Sequence, residues 1–445
     1  MNKYLIAALF ALTGIACLNC LPAIGDGTTD AGSIVSVAPA PDTQIFKRTP
    51  VIDGVISDGE WDIFYSYSSA GFEASTYTDW DSSKIYFGIK ANQPVEAIIS
   101  LDGNADGWFN GSENYEIRLT HSSDGQLNLS AGRYDSKDAK SPVASPIPAL
   151  ATQAIIAKSS QVNGAYFVEV AVPMECLPGV NIFDGKKIGL LFAIRSETLK
   201  ADGSAGAWIP AGEVGQTNEC TLVSKKIASF KPLDVGFDLR DCKIARGEEL
   251  LGKFHLTNNG TENVDVKNVV IAGEGRSGEY LSSEKVRFDG ISAKRHVSSE
   301  IKSVIPLDMP LGSWAIGAEV KTADNRVGGA LVSFEIVEAY DLQLNLPTKP
   351  VPANAKDVTM SVVVRNNCRH SIRGNVKITM PEGWELWKNA GSKEFAIASQ
   401  DAITSVTFKA KPPIGASGKI PVKIEVDSEV LKKSIEGSFD LTNIL

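Results

Sequence analysis

Twelve consecutive residues, Asp102-Gly-Asn104-Ala-Asp106-Gly107-Trp108-Phe109-Asn110-Gly-Ser-Glu113, carry the densest chemistry in the chain. Oxygen side chains stand at loop positions 1, 3, 5 and 9, Gly at 6, an apolar residue at 8 and Glu at 12, the full pattern of a calcium loop. Calcium takes roughly six to eight hard oxygen ligands, and alternate residues of a tight loop turn theirs inward. Asp102, Asn104, Asp106, Asn110 and Glu113, with the main-chain carbonyl of Trp108, would form the shell. Gly107 allows the sharp turn with positive φ. The same residues also make a plain solvated turn without a metal. The two readings differ in whether the oxygens converge.

The flanks say what must position the loop. Glu96-Ala-Ile-Ile-Ser-Leu101 precedes it and Asn114-Tyr-Glu-Ile-Arg-Leu119 follows. Both have strand length and neither has helical periodicity, so the setting is strand–loop–strand, which suits a static site better than a switch. Further strands are read at Lys84–Lys90, Ala165–Val172 and Ile188–Ile194, punctuated by Asp-Gly and Asn-Gly turns. Residues 45–232 therefore read as an antiparallel β-sandwich. Two immunoglobulin-like sandwiches follow over 233–338 and 339–445. In both, a strand runs into an Asn-Asn turn, at Asn258-Asn259 and at Asn366-Asn367, which points to tandem copies of one plan. The fold class expected is all-β throughout.

The chain has 445 residues, 43% hydrophobic, with a net charge of -9. That balance argues against nucleic acid and anionic membranes as partners. Lys3 followed by the apolar Tyr4–Ala16 reads as a signal peptide within residues 1–23, too short to span a membrane. Gly14-Ile15-Ala16 before Cys17 suits cleavage there, and a Cys in that place is also how a lipoprotein leader ends, although Gly14 stands where such leaders usually carry Leu. Residues 24–44 read as a flexible linker. The protein is expected outside the cytoplasm, secreted, periplasmic or at the cell surface, with no transmembrane segment after the leader. Of the cysteines beyond the leader, Cys176 and Cys220 could pair; Cys242 and Cys368 fall in different segments.

Five motifs in order give a resemblance. Ile52-Asp-Gly-Val-Ile-Ser-Asp-Gly-Glu-Trp61, Trp80-Asp-Ser-Ser-Lys-Ile-Tyr-Phe-Gly-Ile89, Gly107–Ile117, Tyr166-Phe-Val-Glu-Val-Ala-Val-Pro173 and Gly206-Ala-Trp208-Ile-Pro resemble family 9 carbohydrate-binding modules and the wider DOMON-like sandwiches. The resemblance spans about residues 48–225. It implies that Trp108 and Trp208 sandwich a terminal sugar, and that a structural calcium lies nearby. Asn114, Glu116, Arg118 and Arg195 are candidates for the remaining polar contacts. Trp61 reads as a core aromatic and Trp80 as core or rim. The last segment, through Val358–Arg365, Met380-Pro-Glu-Gly-Trp384 and Val406–Pro413, resembles the NEW3 domain associated with α-galactosidases, an accessory module without catalytic residues.

No nucleophile elbow, zinc-protease motif or phosphate loop is present, and the four histidines lie in or beside turns and strands without partners. The expected function is non-catalytic binding of a polysaccharide or glycan, with calcium as the cofactor and cell-envelope components as further partners. The alternative is an extracellular adhesion or assembly protein whose first sandwich no longer binds sugar. The third reading is an accessory part of a glycan-degrading enzyme system.

Overall fold

The structure is a computed structural model and describes residues 35–36, 43–69, 71–107, 111–134, 144–147, 153–198, 206, 208–209, 217–288 and 290–442. Among these, nearly all regular structure is strand, interrupted by single helical turns at Met174–Cys176, Ser277–Tyr280 and Trp387–Asn389. The all-β fold read from the sequence is the fold found. No helix among the described residues is long and apolar enough to cross a membrane. Contacts divide the chain into two compact units. One comprises Met1–Cys242, Leu251–Ser303 and Gly312–Phe334; the other comprises Lys243–Leu250, Val304–Leu311 and Glu335–Leu445.

The first unit opens with a sandwich of thirteen strands: β1 (Val35–Ser36), β2 (Thr43–Phe46), β3 (Ile63–Ser69), β4 (Phe72–Trp80), β5 (Lys84–Ala91), β6 (Val95–Asp102), β7 (Asn114–His121), β8 (Leu127–Tyr134), β9 (Ala144–Pro146), β10 (Ile156–Val162), β11 (Ala165–Pro173), β12 (Lys187–Ser196) and β13 (Asn218–Val223). They form a six-stranded sheet, β1-β3-β4-β5-β11-β10, and a seven-stranded sheet, β2-β13-β12-β6-β7-β8-β9. All pairs are antiparallel except β2 with β13. Alternate residues of facing strands fill the core, among them Phe87, Ile99, Ile117, Val170, Leu190 and Phe192. Trp80 belongs to this core, and its Nε1 donates to the Ile45 carbonyl at 3.0 Å. Cys176 and Cys220 are both buried and are not joined to each other, so the disulfide the sequence allowed is not formed.

The outer face of the six-stranded sheet is sealed by the segment that carries the Ile52–Trp61 motif. Ile56 and Trp61 pack on Tyr77, Tyr86, Phe167 and Ala171. Gly88 makes room for them, since a Cβ there would sit 3.1 Å from Ile56 and 3.5 Å from Trp61. Burying such a ring contributes roughly 2–3 kcal/mol. Glu169 of β11, fully buried, pins the segment. It accepts from Asp53 N at 2.9 Å, from Gly54 N at 2.5 Å and from Trp61 Nε1 at 3.2 Å. Burial pushes its carboxyl up to about 7, against the pull of the Gly54 N–H.

Within the same unit a second sandwich follows, with one sheet built on Lys225–Ala228, Val327–Val337, Gly312–Thr322, Val266–Gly273 and Glu284–Val286, and a three-stranded sheet of Leu233–Leu239, Glu249–Asn258 and His296–Val304. A buried ionic seam joins it to the first. Arg48 Nη2 lies 2.7 Å from Glu274 and 3.5 Å from Asp62, and Arg48 Nη1 donates to the Gly59 carbonyl at 3.1 Å. Lys226 meets Asp62 at 2.5 Å, and Arg276 meets Glu60 at 3.2 Å. Thr49 and Ser313 exchange two hydrogen bonds, Thr49 N to the Ser313 carbonyl at 2.9 Å and Ser313 N to Thr49 Oγ1 at 2.8 Å.

The second unit holds a four-stranded sheet of order Tyr340–Asn345, Val358–Asn366, Ile403–Lys411, Glu385–Leu386, and a five-stranded sheet of order Val351–Pro352, Lys432–Thr442, Gly418–Ser428, Ile372–Thr379, Ser392–Ile397. Met360, Val364, Phe408, Ile424 and Phe439 fill the space between them, and the Tyr340 hydroxyl donates to the Leu431 carbonyl at 2.8 Å.

Candidate functional site

The outer face of the seven-stranded sheet is built differently from its sealed counterpart. Pairing of β6 with β7 sets Glu96 opposite Thr120, Ile98 opposite Arg118, Ser100 opposite Glu116 and Asp102 opposite Asn114. Pairing of β12 with β6 sets Arg195 opposite Glu96. Side chains alternate with period two, so one sheet face carries all of these while Ala97, Ile99, Leu101, Tyr115, Ile117 and Leu119 point into the core. Four residues singled out from the sequence, Asn114, Glu116, Arg118 and Arg195, therefore share a face.

Two charge clusters stand on it. Arg195 grips Glu96, with Nε and Nη2 donating to the same carboxylate oxygen at 2.7 and 2.5 Å. Its guanidinium also lies 4.4 Å over the centre of the Trp208 ring. Trp208 is half-buried and held there because Ile209 forms an antiparallel bridge to Ile194. In the second cluster the buried Glu116 accepts from Arg118 Nε with one oxygen and from the Tyr134 hydroxyl with the other. Burial first, and Glu116 second, raise the Tyr134 phenol above its ordinary range. Side-chain hydrogen bonding to Glu116 likewise raises the Arg118 guanidinium.

The Asp102–Glu113 loop leaves the sheet at one end of this face. Asp102 is fully buried; its Oδ1 accepts from Asn104 N at 3.1 Å and Ala105 N at 2.9 Å, and its Oδ2 from Gly107 N at 2.8 Å. Ala105 and Gly107 take positive φ, 60° and 84°. The Asn104 amide donates to Asp106 at 3.1 Å and to Glu113 at 3.0 Å, so one NH2 group sits between two carboxylates. Gly189 on the neighbouring strand is obligatory, since a Cβ there would meet Thr217 Oγ1 at 2.3 Å and Asp102 Cβ at 2.9 Å. Asn114, directly opposite Asp102, is fully buried, and neither of its amide atoms has a hydrogen-bond partner among the described residues. A carboxylate pair bridged by one amide, beside an orphaned buried amide, is a donor set that fits a hard cation. Trp108 and Asn110 lie outside the described residues, so their places in the metal shell and, for Trp108, in the sugar sandwich rest on the sequence alone.

No protein-family model matches the chain, and no curated protein matches it. Solved structures do. A family 9 carbohydrate-binding module from Caldicellulosiruptor kristjanssonii, in complex with cellotriose, matches with TM-score 0.30 and 17% identity over 41% of this chain and 93% of that one. Red sea bream transglutaminase matches with TM-score 0.28 and 10% identity over 79% of this chain and 57% of its own. A Salmonella alpha-2-macroglobulin matches with TM-score 0.23 and 9% identity over 85% of this chain and 32% of its own. These values are too low to decide fold or function, so the residues themselves must carry the reading.

Sequence reasoning missed Glu96, Ser100 and Tyr134. The signal was available, because Glu96, Ser100 and Asp102 fall on alternate positions of one strand. The apolar run between them masked that alternation. The Trp208 arrangement also differs from a symmetrical stacking site: Arg195 already covers one face of its ring.

Proposed function

We propose that the first sandwich binds carbohydrate, that its loop holds calcium, and that the protein is exported and non-catalytic. The observation that supports this reading is the outer face of the seven-stranded sheet, where Glu96–Arg195–Trp208 and Glu116–Arg118–Tyr134 stand side by side. Sugar hydroxyls both donate and accept, and paired carboxylates and guanidinium groups offer fixed partners for both roles. The face of Trp208 turned away from Arg195 would take the apolar face of a pyranose. Glu96 and Glu116 are each held by an arginine, which suits hydrogen-bonding better than the free acid and base that glycoside hydrolysis needs. Asp102, Asn104, Asp106 and Glu113 would hold the calcium, with the Trp108 carbonyl and Asn110 completing it. Bound there, the ion supplies only fixed positive charge that ties the loop to the end of the binding face.

The test is glycan-array binding by the full chain, with calcium and after chelation. Binding of at least one glycan is expected, weakened about tenfold or more by chelation and by Arg195→Ala or Glu116→Gln, a change worth about 1.4 kcal/mol or more. Failure to bind any glycan would leave the adhesion or assembly reading. Hydrolysis of a bound glycan would make it an enzyme.

A further inference from the structure

The two Asn-Asn turns share one hydrogen-bond scheme. Asn258 Nδ2 donates to the carbonyls of Glu262 and Ile291 at 2.8 and 2.9 Å, and its Oδ1 accepts from Gly260 N at 2.9 Å. Asn366 Nδ2 donates to the carbonyls of His370 and Ala398 at 2.7 and 2.5 Å, and its Oδ1 accepts from Cys368 N at 2.8 Å. The next asparagines match too. Asn259 donates to Asp234 at 2.5 Å and Asn367 to Asp341 at 3.0 Å. The scaffold is therefore complete without the side chains two and four residues after the first Asn. In the earlier turn these are Gly260 and Glu262; in the later one they are Cys368 and His370.

The earlier turn has no room at the first of these positions, since a Cβ on Gly260 would lie 2.9 Å from Pro232. In the later turn Ala339 takes the place of that proline, and the buried Cys368 thiol lies 3.5 Å from its carbonyl. The second unit adds Glu248 from another segment. Its Oε1 accepts from Arg369 N at 2.7 Å and lies 3.4 Å from His370 Nδ1. Ligand atoms of Glu248, Cys368 and His370 all lie within 4.8 Å of one another. Backbone bonds hold the Glu248 segment in place, with Gly247 N donating to the Ile305 carbonyl at 3.0 Å and Ile305 N to the Glu248 carbonyl at 2.8 Å. Arg369 turns its guanidinium to the Glu249 carbonyl at 2.7 Å.

We propose that Glu248, Cys368 and His370 form a three-ligand site for a borderline-soft divalent cation of the zinc class. One sulfur, one imidazole nitrogen and one carboxylate oxygen, with a fourth position for water, is the donor mixture such an ion prefers, and calcium does not. Cys368 is buried and His370 exposed, so the ion has a route in from solvent. The donors must close by small side-chain rotations to reach bonding distance, which a rigid backbone turn permits.

The reduced full chain, freed of metal, is titrated with Co2+ alone. Cobalt bound by a thiolate gives an intense near-ultraviolet charge-transfer band that cobalt on oxygen ligands lacks, so the calcium loop cannot mimic it. One equivalent should develop the band and Zn2+ should displace it. Cys368→Ser should abolish it; His370→Ala and Glu248→Gln should weaken cobalt affinity about tenfold or more; Cys242→Ser should leave it unchanged. If Cys368→Ser does not fold, the His370 and Glu248 variants decide alone. Absence of the band in the parent chain, or its survival unchanged in His370→Ala, overturns the site.

Discussion

The seam and the outer sheet face both gather charge on buried or half-buried surface, yet one is closed and the other open. At the seam Arg48, Lys226 and Arg276 face Asp62, Asp79, Glu60 and Glu274. Burial raises Asp79 well above the usual carboxylate range, with the charge of Asp62 adding to it. Burial alone would raise Asp62 as well, but Lys226 and Arg48 together hold it low. Ion pairs take up most of the seam's charge, although Arg48 Nε, Asp79 Oδ1 and Ser313 Oγ find no hydrogen-bond partner among the described residues. On the sheet face Arg118 is exposed, Trp208 is half-covered and the Asn114 side-chain amide finds no partner among the described residues. Charged and aromatic side chains that reach solvent, not unpaired atoms alone, are the physical mark that separates a site from a joint.

The harshest way to break this contrast is Arg48→Met. It leaves Glu274 buried without its partner and Asp62 with Lys226 alone, so denaturant melts should lose about 3–5 kcal/mol from the first unit while affinity for a bound glycan is unchanged. A loss below about 1 kcal/mol would mean that the seam is wetter than its geometry implies, and the closed network would lose its meaning.

Asn114→Leu sharpens the other side. A buried amide without partners costs about 1–3 kcal/mol, so replacing it by an apolar side chain of similar size should leave metal-free stability unchanged or slightly higher. The same variant should lose the rise in Tm that calcium gives the parent. If the metal-free variant instead falls by more than about 2 kcal/mol, Asn114 had a structural partner and the face is as closed as the seam.

How much of this was legible follows from distance along the chain. Strand centres were readable because alternation is local: the sequence places strands at Glu96–Leu101 and Asn114–Leu119, where the strands run Val95–Asp102 and Asn114–His121. The polar ends missed are Asp102, Thr120 and His121, because a reading led by apolar runs stops where they stop. The candidate residues on the face were found, but not that they share it, since that depends on register across three strands. The seam was invisible: Arg276 and Glu60 are 216 positions apart, Lys226 and Asp62 164, and no local pattern announces such pairs.

The smallest expected effect tests the contrast through pH. His121 ends β7, fully buried, with neither ring nitrogen hydrogen-bonded among the described residues and its ring edge-on to Tyr166 at 5.4 Å. Burial lowers its pKa below the ordinary value of 6.5. Below that pH the unfolded chain takes up a proton that the folded chain refuses, so His121 costs stability as pH falls from 7 to 5. Glu169 acts in the opposite sense. With a folded pKa of about 7, it holds a proton that the unfolded carboxyl releases, so its contribution is present at low pH and lost as pH rises through 7. The wild-type curve therefore mixes two opposed slopes, and only the difference from His121→Phe isolates the imidazole. That difference should grow in the variant's favour by up to about 1–2 kcal/mol between pH 7 and pH 5, since each unit of pKa shift is worth about 1.4 kcal/mol. A difference flat with pH would show that the protonated ring finds a partner, making His121 part of a closed network after all.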